Sequence, residues 1–265
     1  MPATLAILDG DVMDVAQAQI PVTDDGLLRG DGVFEVARIY GGRPFALEEH
    51  LARMARSAQS LRLAFDADAV RADAAALIAA GEPDDAMLRL VVTRGGRRIG
   101  MLETLPERPE TIALQTVTYA PTRVLDGVKS LSYAANMLAT RIAREGGADE
   151  ALLVSPHGRV LEGPTTSFFY VLDGALYTPP LSDHILDSIT RRALLAVTDA
   201  AERVTTLEDL AAASEAFLAS SLREVHPVRA IDGEALAQVP GPVSTAAAAA
   251  VREHIEASLA RTPAA

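Results

Sequence analysis

The 265-residue sequence predicts an α/β or α+β fold with two lobes. Segments with strand-like alternation recur between Gly-rich turns, and segments with helical spacing of apolar residues separate them. Apolar residues make up 49% of the chain, enough for a substantial core, although tryptophan is absent. A chain of this length fits one large domain or two smaller domains that share an interface.

Residues 1–120 are predicted to form an N-terminal α/β domain. The pair Gly41-Gly42 suits a tight hairpin turn between "GVFEVARIY" and "RPFAL". The segment "LEEHLARMARSAQSL" has apolar or small residues at helical spacing. The predicted elements are a strand–turn–strand unit at 3–12, the hairpin at 32–47, helices at 47–61 and 67–80, a strand entering a Gly-rich loop at 86–96, and a strand at 110–120.

A turn-rich segment, "PTRVLDG" at 121–127, is predicted to be the linker to a C-terminal domain at 128–265. Helical and strand patterns alternate again after this linker. The predicted elements of the second domain are helices at 131–145, 188–201, 205–213 and 243–260, short strands at 150–155, 158–163 and 167–178, and a strand–loop–strand unit at 214–233.

Short motifs set the predicted ends of these helices. Gly146-Gly147 stops the helix at 131–145. Thr205 and Glu208 have the spacing of a capping box. Ser244 is the expected N-cap of the last helix.

Composition argues against several classes of function. The formal net charge of −12 would repel a phosphate backbone, so no nucleic-acid partner is expected. The chain has no cysteine, which excludes disulfides, thiolate metal sites and cysteine nucleophiles. The five histidines have no close metal-ligand spacing, and no metal site is predicted.

The first residues, "MPATLAILDGDV", lack the basic region of a signal peptide. No run of about 18 apolar residues suits a membrane span. The sequence therefore predicts a cytoplasmic protein without membrane contact.

Lys129, in "GVKSLSYAAN", is the only lysine among 24 lysines and arginines. A guanidinium stays protonated and is a poor nucleophile, whereas a desolvated lysine amine can attack a carbonyl carbon and form a Schiff base. One interpretation is a compositional bias toward arginine, with no special role for this lysine. The chemical interpretation is that one position needs an imine, which arginine cannot form.

An imine enzyme with a large electron sink needs further groups. A cofactor phosphate needs cations, hydroxyls or a helix N-terminus. A ring nitrogen needs a carboxylate that keeps it protonated. An amino acid substrate needs a cation or hydrogen-bond donors for its carboxylate. Candidates for each group follow one another along this chain.

Three segments resemble, in order, the signatures of class IV (fold-type IV) pyridoxal-phosphate aminotransferases. They are "DDGLLRGDGVFEVARIYGGRPFALEEHLARM", "VKSLSYAANMLATRIAREGGADEALLVSPHGRVLEGPTTSFFYVLDGALYTPPLSDHILDSITR" and "EAFLASSLREVHPV". The resemblance spans about residues 3–255. It implies pyridoxal 5′-phosphate as the cofactor, held between a smaller N-terminal α/β domain and a larger C-terminal domain.

The resemblance implies a role for each residue that would face the cofactor ring. It assigns the Schiff base, and the proton transfer between substrate Cα and cofactor C4′, to Lys129. It assigns the carboxylate at the ring nitrogen to Glu162, in "VLEGPTTS". Ser167 stands where the family usually has asparagine. Spacing adds Tyr133, which follows Lys129 by four residues. If the helix has begun there, Tyr133 lies about one turn from the lysine and could approach the O3′ edge of the cofactor; a core position is the alternative.

The resemblance also implies a phosphate site. Arg53, in "EEHLARM", is the expected cation. Ile189 and Thr190, in "SITR", would supply the amides and hydroxyl of a helix N-terminus. Ser220 and Ser221, in "LASSLRE", match further phosphate and pocket hydroxyls.

The predicted substrate pocket departs from the family's pattern. D-Amino acid transaminases commonly have tyrosine where Phe34 stands and an Arg-x-His pair after "VTRG", whereas this chain reads "VVTRGGRRIGM". We therefore expect Arg29, with Arg97 or Arg98, to bind the substrate carboxylate, because a planar guanidinium suits bidentate capture. In the family this loop reaches across a dimer interface, which implies a homodimer.

The expected reaction moves an amino group between a D-amino acid or (R)-amine and a 2-keto acid. Aminodeoxychorismate lyases share the cofactor residues but often have threonine where Val36 stands. Branched-chain aminotransferases share "VFE", and Phe34 fits them, but they are usually longer. A non-catalytic binding module is the alternative from another class, and the presence of Lys129, Glu162 and Arg53 argues against it.

Overall fold

The structure of the chain, a computed structural model, describes residues 5–261. This part of the chain forms two compact units. They comprise, first, residues 5–107, 128–133 and 257–261 and, second, residues 108–127 and 134–256. Both units combine helices with strands, in agreement with the predicted α/β class.

A sheet with two helices packed on one face forms the first unit. Its elements are β1 (Leu5–Leu8), β2 (Asp11–Asp14), a 3₁₀ helix (Val15–Gln17), α1 (Asp25–Arg29), β3 (Gly32–Tyr40), β4 (Arg43–Pro44), α2 (Leu47–Ser60), α3 (Ala67–Gly81), β5 (Asp85–Thr93) and β6 (Arg98–Glu103). Within the described residues of this unit, six strands pair in the antiparallel order β2-β1-β6-β5-β3-β4.

The alternation of β3 sets the orientation of this sheet. Val33, Ala37 and Ile39 are buried, in a core to which α2 contributes Leu51 and Met54. Successive side chains of a strand point to opposite faces. The odd-numbered residues of β3 therefore face the helices, and the even-numbered residues face the opposite side of the sheet.

The predicted hairpin is present, and one strand of the sheet was not predicted. Gly41 and Gly42 have φ of 52° and 75°, the left-handed conformation that a tight hairpin turn requires. Strand β6 was not predicted because glycines interrupt its alternation of apolar and polar residues. Gly100 is needed there, since an added Cβ would lie 2.7 Å from Cγ2 of Ile7 on the neighbouring strand.

A larger mixed sheet forms the second unit. Its elements are β7 (Ile112–Thr118), 3₁₀ helices (Arg123–Leu125 and Leu181–Asp183), α4 (Ala134–Glu145), β8 (Glu150–Val154), β9 (Arg159–Val160), β10 (Ser167–Leu172), β11 (Ala175–Thr178), α5 (Ile189–Val197), β12 (Ala201–Glu202), β13 (Thr205–Thr206), α6 (Leu207–Ala212), β14 (Glu215–Ser220), β15 (Glu224–Ile231), β16 (Glu234–Ala235) and α7 (Pro242–Arg261). In this described region the strand order is β12-β11-β10-β14-β15-β7-β8-β9-β13, with β16 beside β15. All residues of β10 are buried, as expected for a strand covered on both faces.

Two helices are shorter than predicted. Helix α4 begins at Ala134 and not at 131, because the N–H of Leu131 donates to the carbonyl of Gly32 (2.9 Å) and holds the preceding segment beside β3. Helix α5 begins at Ile189 and ends at Val197 instead of 201, since residues 201–202 form a strand.

The capping box of α6 lies one residue later than predicted. The Thr206 hydroxyl accepts from the N–H of Asp209 (3.3 Å), and the Asp209 carboxylate accepts from the N–H of Thr206 (2.8 Å). Thr205 belongs to β13, where it pairs with Val160. The pairs Thr205/Glu208 and Thr206/Asp209 have equal spacing, and this strand pairing selects the second.

Helix α7 is capped by a side chain from a distant strand. The helix begins at Pro242, so Ser244 lies in its first turn and is not the predicted N-cap. The buried carboxylate of Glu215 accepts from the N–H of Ser244 (2.7 Å), the hydroxyl of Ser244 (2.6 Å) and the N–H of Val243 (3.2 Å). Gly241 leaves room for this carboxylate, since an added Cβ would lie 2.1 Å from its Cδ.

The predicted domain boundary at 121–127 remains a prediction. The two compact units divide before residue 108, ahead of β7, which pairs in parallel with β8 and β15. The segment 128–133 returns to the first unit through its bonds to β3.

We predict that Glu215→Ala lowers the free energy of unfolding by about 2 kcal/mol, because three donors, two of them buried, lose a shared carboxylate acceptor. Urea unfolding with an unchanged m-value measures this loss. Glu234→Ala, at an exposed position of β16, is the control and should change stability by less than about 0.5 kcal/mol. Equal losses in the two variants would contradict the capping role.

Candidate active site

Lys129 lies beside β3 in an irregular segment of the first unit. Its carbonyl accepts a hydrogen bond from the N–H of Phe34 (3.3 Å), and its own N–H donates to Oγ of Ser57 on α2 (3.1 Å). These backbone bonds anchor the Cα of Lys129 between a strand and a helix. The flexible side chain then extends from a fixed base.

The amine of Lys129 lies over two aromatic rings. Its Nζ is 4.1 Å from the ring centroid of Phe34 and 5.5 Å from that of Tyr133. The two rings meet edge to face at 5.1 Å. The structure thus brings together the predicted Lys129, Phe34 and Tyr133, although Tyr133 precedes α4 and does not stand one helical turn from the lysine.

Glu35 points from β3 to the opposite face and forms a buried ionic cluster with α2. Its Oε1 accepts from Nε of Arg53 and its Oε2 from Nη2 of the same guanidinium, both at 2.7 Å. Nδ1 of His50 lies 2.7 Å from Oε2. All three side chains are at most 6% exposed.

The cluster keeps the Glu35 carboxylate ionised. Burial by itself would raise the pKa of Glu35, but the hydrogen bonds from Arg53 and His50 outweigh burial and lower this pKa to about 2. An ionised carboxylate only accepts hydrogen bonds, so His50 donates its Nδ1 proton to it.

Helix α2 links this cluster to Lys129. Arg53 and Ser57 are four residues apart, so they lie one turn apart on the same helix face. Both are buried, and Ser57 holds the backbone of Lys129. The cation of Arg53 and the backbone of Lys129 are therefore tied to one rigid element.

Glu162 lies in the second unit after β9. Its Oε1 accepts from the N–H of Leu186 (3.1 Å), and its carbonyl accepts from the N–H of Leu153 on β8 (2.9 Å). Burial and the negative charge of Glu162 raise the pKa of Tyr119. The carboxylate thus has a fixed backbone and one fixed oxygen.

The N-terminus of α5 carries the predicted amide donors. Ser188 caps the helix by accepting from the N–H of Arg191 (3.3 Å), and both Ile189 and Thr190 are buried. The first amides of a helix have no acceptor within the helix, and its dipole favours an anion there. This helix end therefore has the donors that a phosphate needs.

The predicted serines lie at the turn between β14 and β15. Ser220 ends β14, and its Oγ and carbonyl both accept from the N–H of Arg223 (3.3 and 3.1 Å), with Ser221 inside the turn. Ser167 pairs with Ala219 on the adjacent strand. The Ser167 hydroxyl is buried and has no hydrogen-bond partner within the described residues, so a polar ligand could bond to it.

The three predicted substrate arginines differ in their partners. Arg97 pairs with Asp9 and Arg98 with Asp73, at 2.7 and 2.8 Å. Arg29 is 74% exposed and pairs with Asp25 on its own short helix.

Arg29 precedes a residue that contacts the segment 128–133, which carries Lys129. The residue after it, Gly30, accepts a hydrogen bond from the hydroxyl of Ser132 (3.1 Å). An added Cβ on Gly30 would lie 3.0 Å from that hydroxyl oxygen, so the two segments touch. Of the three predicted arginines, Arg29 has this direct connection to residues 128–133.

Sequence reasoning missed three polar residues of this region. Glu35 and His50 hold Arg53, and the signal was an acidic residue between buried positions of β3. Arg89 of β5 pairs with Val36, which gives it the same sheet face as Phe34, and its Nε donates to Glu103 (2.7 Å). Its signal was an arginine within an apolar strand.

Comparison with known proteins identifies the family. The model of the family described as amino-transferase class IV matches residues 32–231. The chain is a class IV aminotransferase. The family resemblance predicted from the three sequence segments is thereby confirmed.

Two curated relatives of this aminotransferase differ in their stated substrates. A putative branched-chain-amino-acid aminotransferase of Methanocaldococcus jannaschii is 34% identical over 86% of this chain and 88% of its own. A D-alanine aminotransferase of Bacillus licheniformis is 30% identical over 97% of this chain and 99% of its own.

The fold of this aminotransferase matches a solved structure that contains two bound molecules. It is a hypothetical aminotransferase from Mycobacterium tuberculosis in a form with α-ketoglutarate and pyridoxamine phosphate, with a TM-score of 0.86 and 28% identity over 95% of this chain and 98% of that one. The predicted fold class and the predicted cofactor, pyridoxal 5′-phosphate, are confirmed.

The residues present fit this cofactor. Lys129 supplies an amine beside aromatic rings, and Glu162 supplies a fixed carboxylate. The N-terminus of α5 and the unpartnered hydroxyl of Ser167 supply donors for polar atoms of a ligand. No group of three or more metal-ligating side chains occurs between residues 5 and 261, and no helix there is long and apolar enough to cross a membrane.

We predict that Glu35→Gln reduces the acid sensitivity of this aminotransferase. The pKa of Glu35 rises from about 2 in the folded chain to about 4.5 on unfolding, so its stabilisation is complete above pH 4.5 and is lost as the pH falls toward 2. Between pH 7 and pH 3 the variant should lose about 2 kcal/mol less unfolding free energy than the parent protein.

Urea unfolding at the two pH values measures this difference. Glu49→Gln, at an exposed position of α2, is the matched control and should follow the parent protein. A Glu35→Gln variant with unchanged acid dependence would contradict the buried ionic cluster.

Proposed function

We propose that this aminotransferase moves the amino group between a D-amino acid or (R)-amine and a 2-keto acid. The observation that carries the amino-transfer chemistry is the anchored Lys129, whose Nζ lies against the rings of Phe34 and Tyr133. Likeness to a D-alanine aminotransferase along nearly the full length of both chains supports the D-amino acid.

Pyridoxal phosphate, when bound, supplies a ring that withdraws electrons from the substrate Cα. Lys129 then moves the reacting proton. Its Nζ accepts the proton from the substrate Cα and returns it at the cofactor C4′. The aromatic rings beside Nζ limit the access of water to this proton.

Glu162 holds the ring nitrogen protonated in this proposal. The N–H of Leu186 donates a hydrogen bond to its carboxylate, so a backbone group orients the negative charge. An ionised carboxylate favours the protonated pyridine, and that proton increases electron withdrawal. Tyr133 would contact the O3′ edge of the ring.

Arg53, Ile189, Thr190, Ser220 and Ser221 are the proposed phosphate ligands. Arg53 supplies a permanent positive charge from a buried position. The amides at the start of α5 and the hydroxyls supply neutral donors. Together these groups provide both charge and directional hydrogen bonds for a phosphate dianion.

Arg29 is the proposed ligand of the substrate carboxylate. Arg97 and Arg98 would first have to leave Asp9 and Asp73, which makes them weaker candidates than sequence reasoning expected. Arg89 shares the sheet face of Phe34, but it would likewise have to leave Glu103.

A cytoplasmic homodimer is the proposed form of the enzyme. Leu27 and Leu28, beside Arg29, are 59% and 60% exposed. Adjacent exposed leucines favour an interface, and a second copy of the chain that covers α1 would bury them. Arg29 would then lie at that interface.

Branched-chain aminotransferase is the second candidate. It is supported by the relative from Methanocaldococcus jannaschii, which is 34% identical. Phe34 fits this reading as well, and the cofactor residues are the same in both. The aminodeoxychorismate lyase is a third reading that uses these same cofactor residues.

We predict that D-alanine, added without a keto acid, converts the cofactor-loaded protein from the pyridoxal form to the pyridoxamine form. Absorption spectra recorded before and after the addition follow this conversion. L-Leucine is the matched comparison and should leave the spectrum unchanged. Conversion by L-leucine alone would replace the D-amino acid proposal with the branched-chain enzyme, and Lys129→Arg should convert with neither.

We predict that Arg29→Gln raises the KM for D-alanine about tenfold or more, because a charge-assisted hydrogen bond to the carboxylate is lost. The KM for (R)-1-phenylethylamine, which lacks a carboxylate, should not change. Steady-state kinetics with both donors measure the contrast. Arg97→Gln is the control and should leave both KM values unchanged. A rise in the KM for D-alanine in Arg97→Gln but not in Arg29→Gln would assign the carboxylate to Arg97 instead.

A further inference from the structure

We propose that Glu35 and His50 are positioning residues that fix the guanidinium of Arg53 for the phosphate of the cofactor. This inference rests on the proposed role of Arg53 as a phosphate ligand. Neither Glu35 nor His50 would touch the cofactor in this scheme. Both would act through the orientation of Arg53.

The geometry holds the guanidinium in one plane. Two parallel hydrogen bonds of 2.7 Å join Arg53 to the carboxylate, through Nε and Nη2. A bidentate pair of this kind fixes direction as well as distance. The remaining N–H groups of the rigid fork then have directions set by the pair.

His50 prevents the carboxylate itself from turning. Its Nδ1 lies 2.7 Å from Oε2, so both oxygens of Glu35 are engaged, one of them twice. His50 and Arg53 come from the same helix, and Glu35 comes from the strand against which that helix packs. Rotation of any one side chain would break bonds to another.

Stability alone does not account for an acidic residue at this position. The neighbours of Glu35 on the same face of β3, Val33 and Ala37, are apolar and buried. A buried ion pair is on average no more stabilising than apolar residues of similar volume, because both charges lose their hydration. The carboxylate of Glu35 at this buried position is better explained by the orientation that it imposes on Arg53.

The same helix ties this orientation to Lys129. Ser57 follows Arg53 by one turn and holds the backbone N–H of Lys129 (3.1 Å). The cation and the lysine backbone therefore keep a constant separation. A cofactor anchored by its phosphate and by its aldehyde carbon needs such a constant separation.

The test compares two ligands that differ only in the phosphate. Isothermal titration calorimetry would measure the binding of pyridoxal 5′-phosphate and of pyridoxal to the full-length protein freed of cofactor. Glu35→Gln keeps the size of the side chain and removes its charge. We expect this variant to weaken pyridoxal 5′-phosphate about tenfold, as loss of a supporting ligand contact does elsewhere, and to leave pyridoxal unchanged.

Controls separate positioning from folding. Glu48→Gln, on the exposed side of the same helix, should change neither affinity. His50→Gln should weaken pyridoxal 5′-phosphate in the same direction as Glu35→Gln and by a smaller factor, which keeps the test open if Glu35→Gln fails to fold.

Three results would overturn the inference. Unchanged affinity for pyridoxal 5′-phosphate in both cluster variants would show that Arg53 needs no support. Equal losses for both ligands would show a general structural role. A parent protein that binds neither ligand would refute the proposed function itself, and that result is distinct from the other two.

Discussion

The buried pair of Glu35 and Arg53 is the interaction on which the candidate site residues of the first unit depend. Strand β3 presents Glu35 to α2 on one face and Phe34 to Lys129 on the other. Because the period of a strand is two, one strand can support a cation on one face and a lysine on the other. A shift of β3 by one residue would exchange these faces and separate both contacts.

Backbone hydrogen bonds fix the position of Lys129, which does not itself lie in a helix. The segment that carries it bonds to β3 through Phe34 and Gly32 and to α2 through Ser57. Gly32 is required at this approach, since an added Cβ would lie 2.5 Å from the carbonyl oxygen of Val92. The amine thus starts from a fixed Cα, and its flexible side chain leaves it the reach that the proposed proton transfer needs.

The sequence was informative where local pattern and tertiary structure agree. The hairpin at Gly41-Gly42 and the helix that carries Arg53 were predicted because turn chemistry and helical spacing are local. The predicted helix start at 131 was wrong, because pairing with β3 overrides the local helical preference of residues 131–133. The capping pair Thr205/Glu208 was wrong because two pairs of equal spacing compete.

The chemistry was predictable only where residue type is decisive. A single lysine among arginines pointed to Lys129, because the imine of the proposed chemistry needs a nucleophilic amine and a guanidinium is a poor nucleophile. The role of an arginine depends instead on its partner, which lies far along the chain. Asp9 and Asp73 engage Arg97 and Arg98 from sequence separations of 88 and 25 residues.

This dependence on distant partners explains why relatives named for D-alanine and for branched-chain amino acids can share one fold. A substrate carboxylate requires a cation or hydrogen-bond donors. Arg29, Arg97 and Arg98 are the cations predicted for it in this chain. Under the proposed function, the carboxylates that already engage Arg97 and Arg98 disfavour these two residues. Arg29, whose partner among the described residues is Asp25 at an exposed surface, has the least to give up.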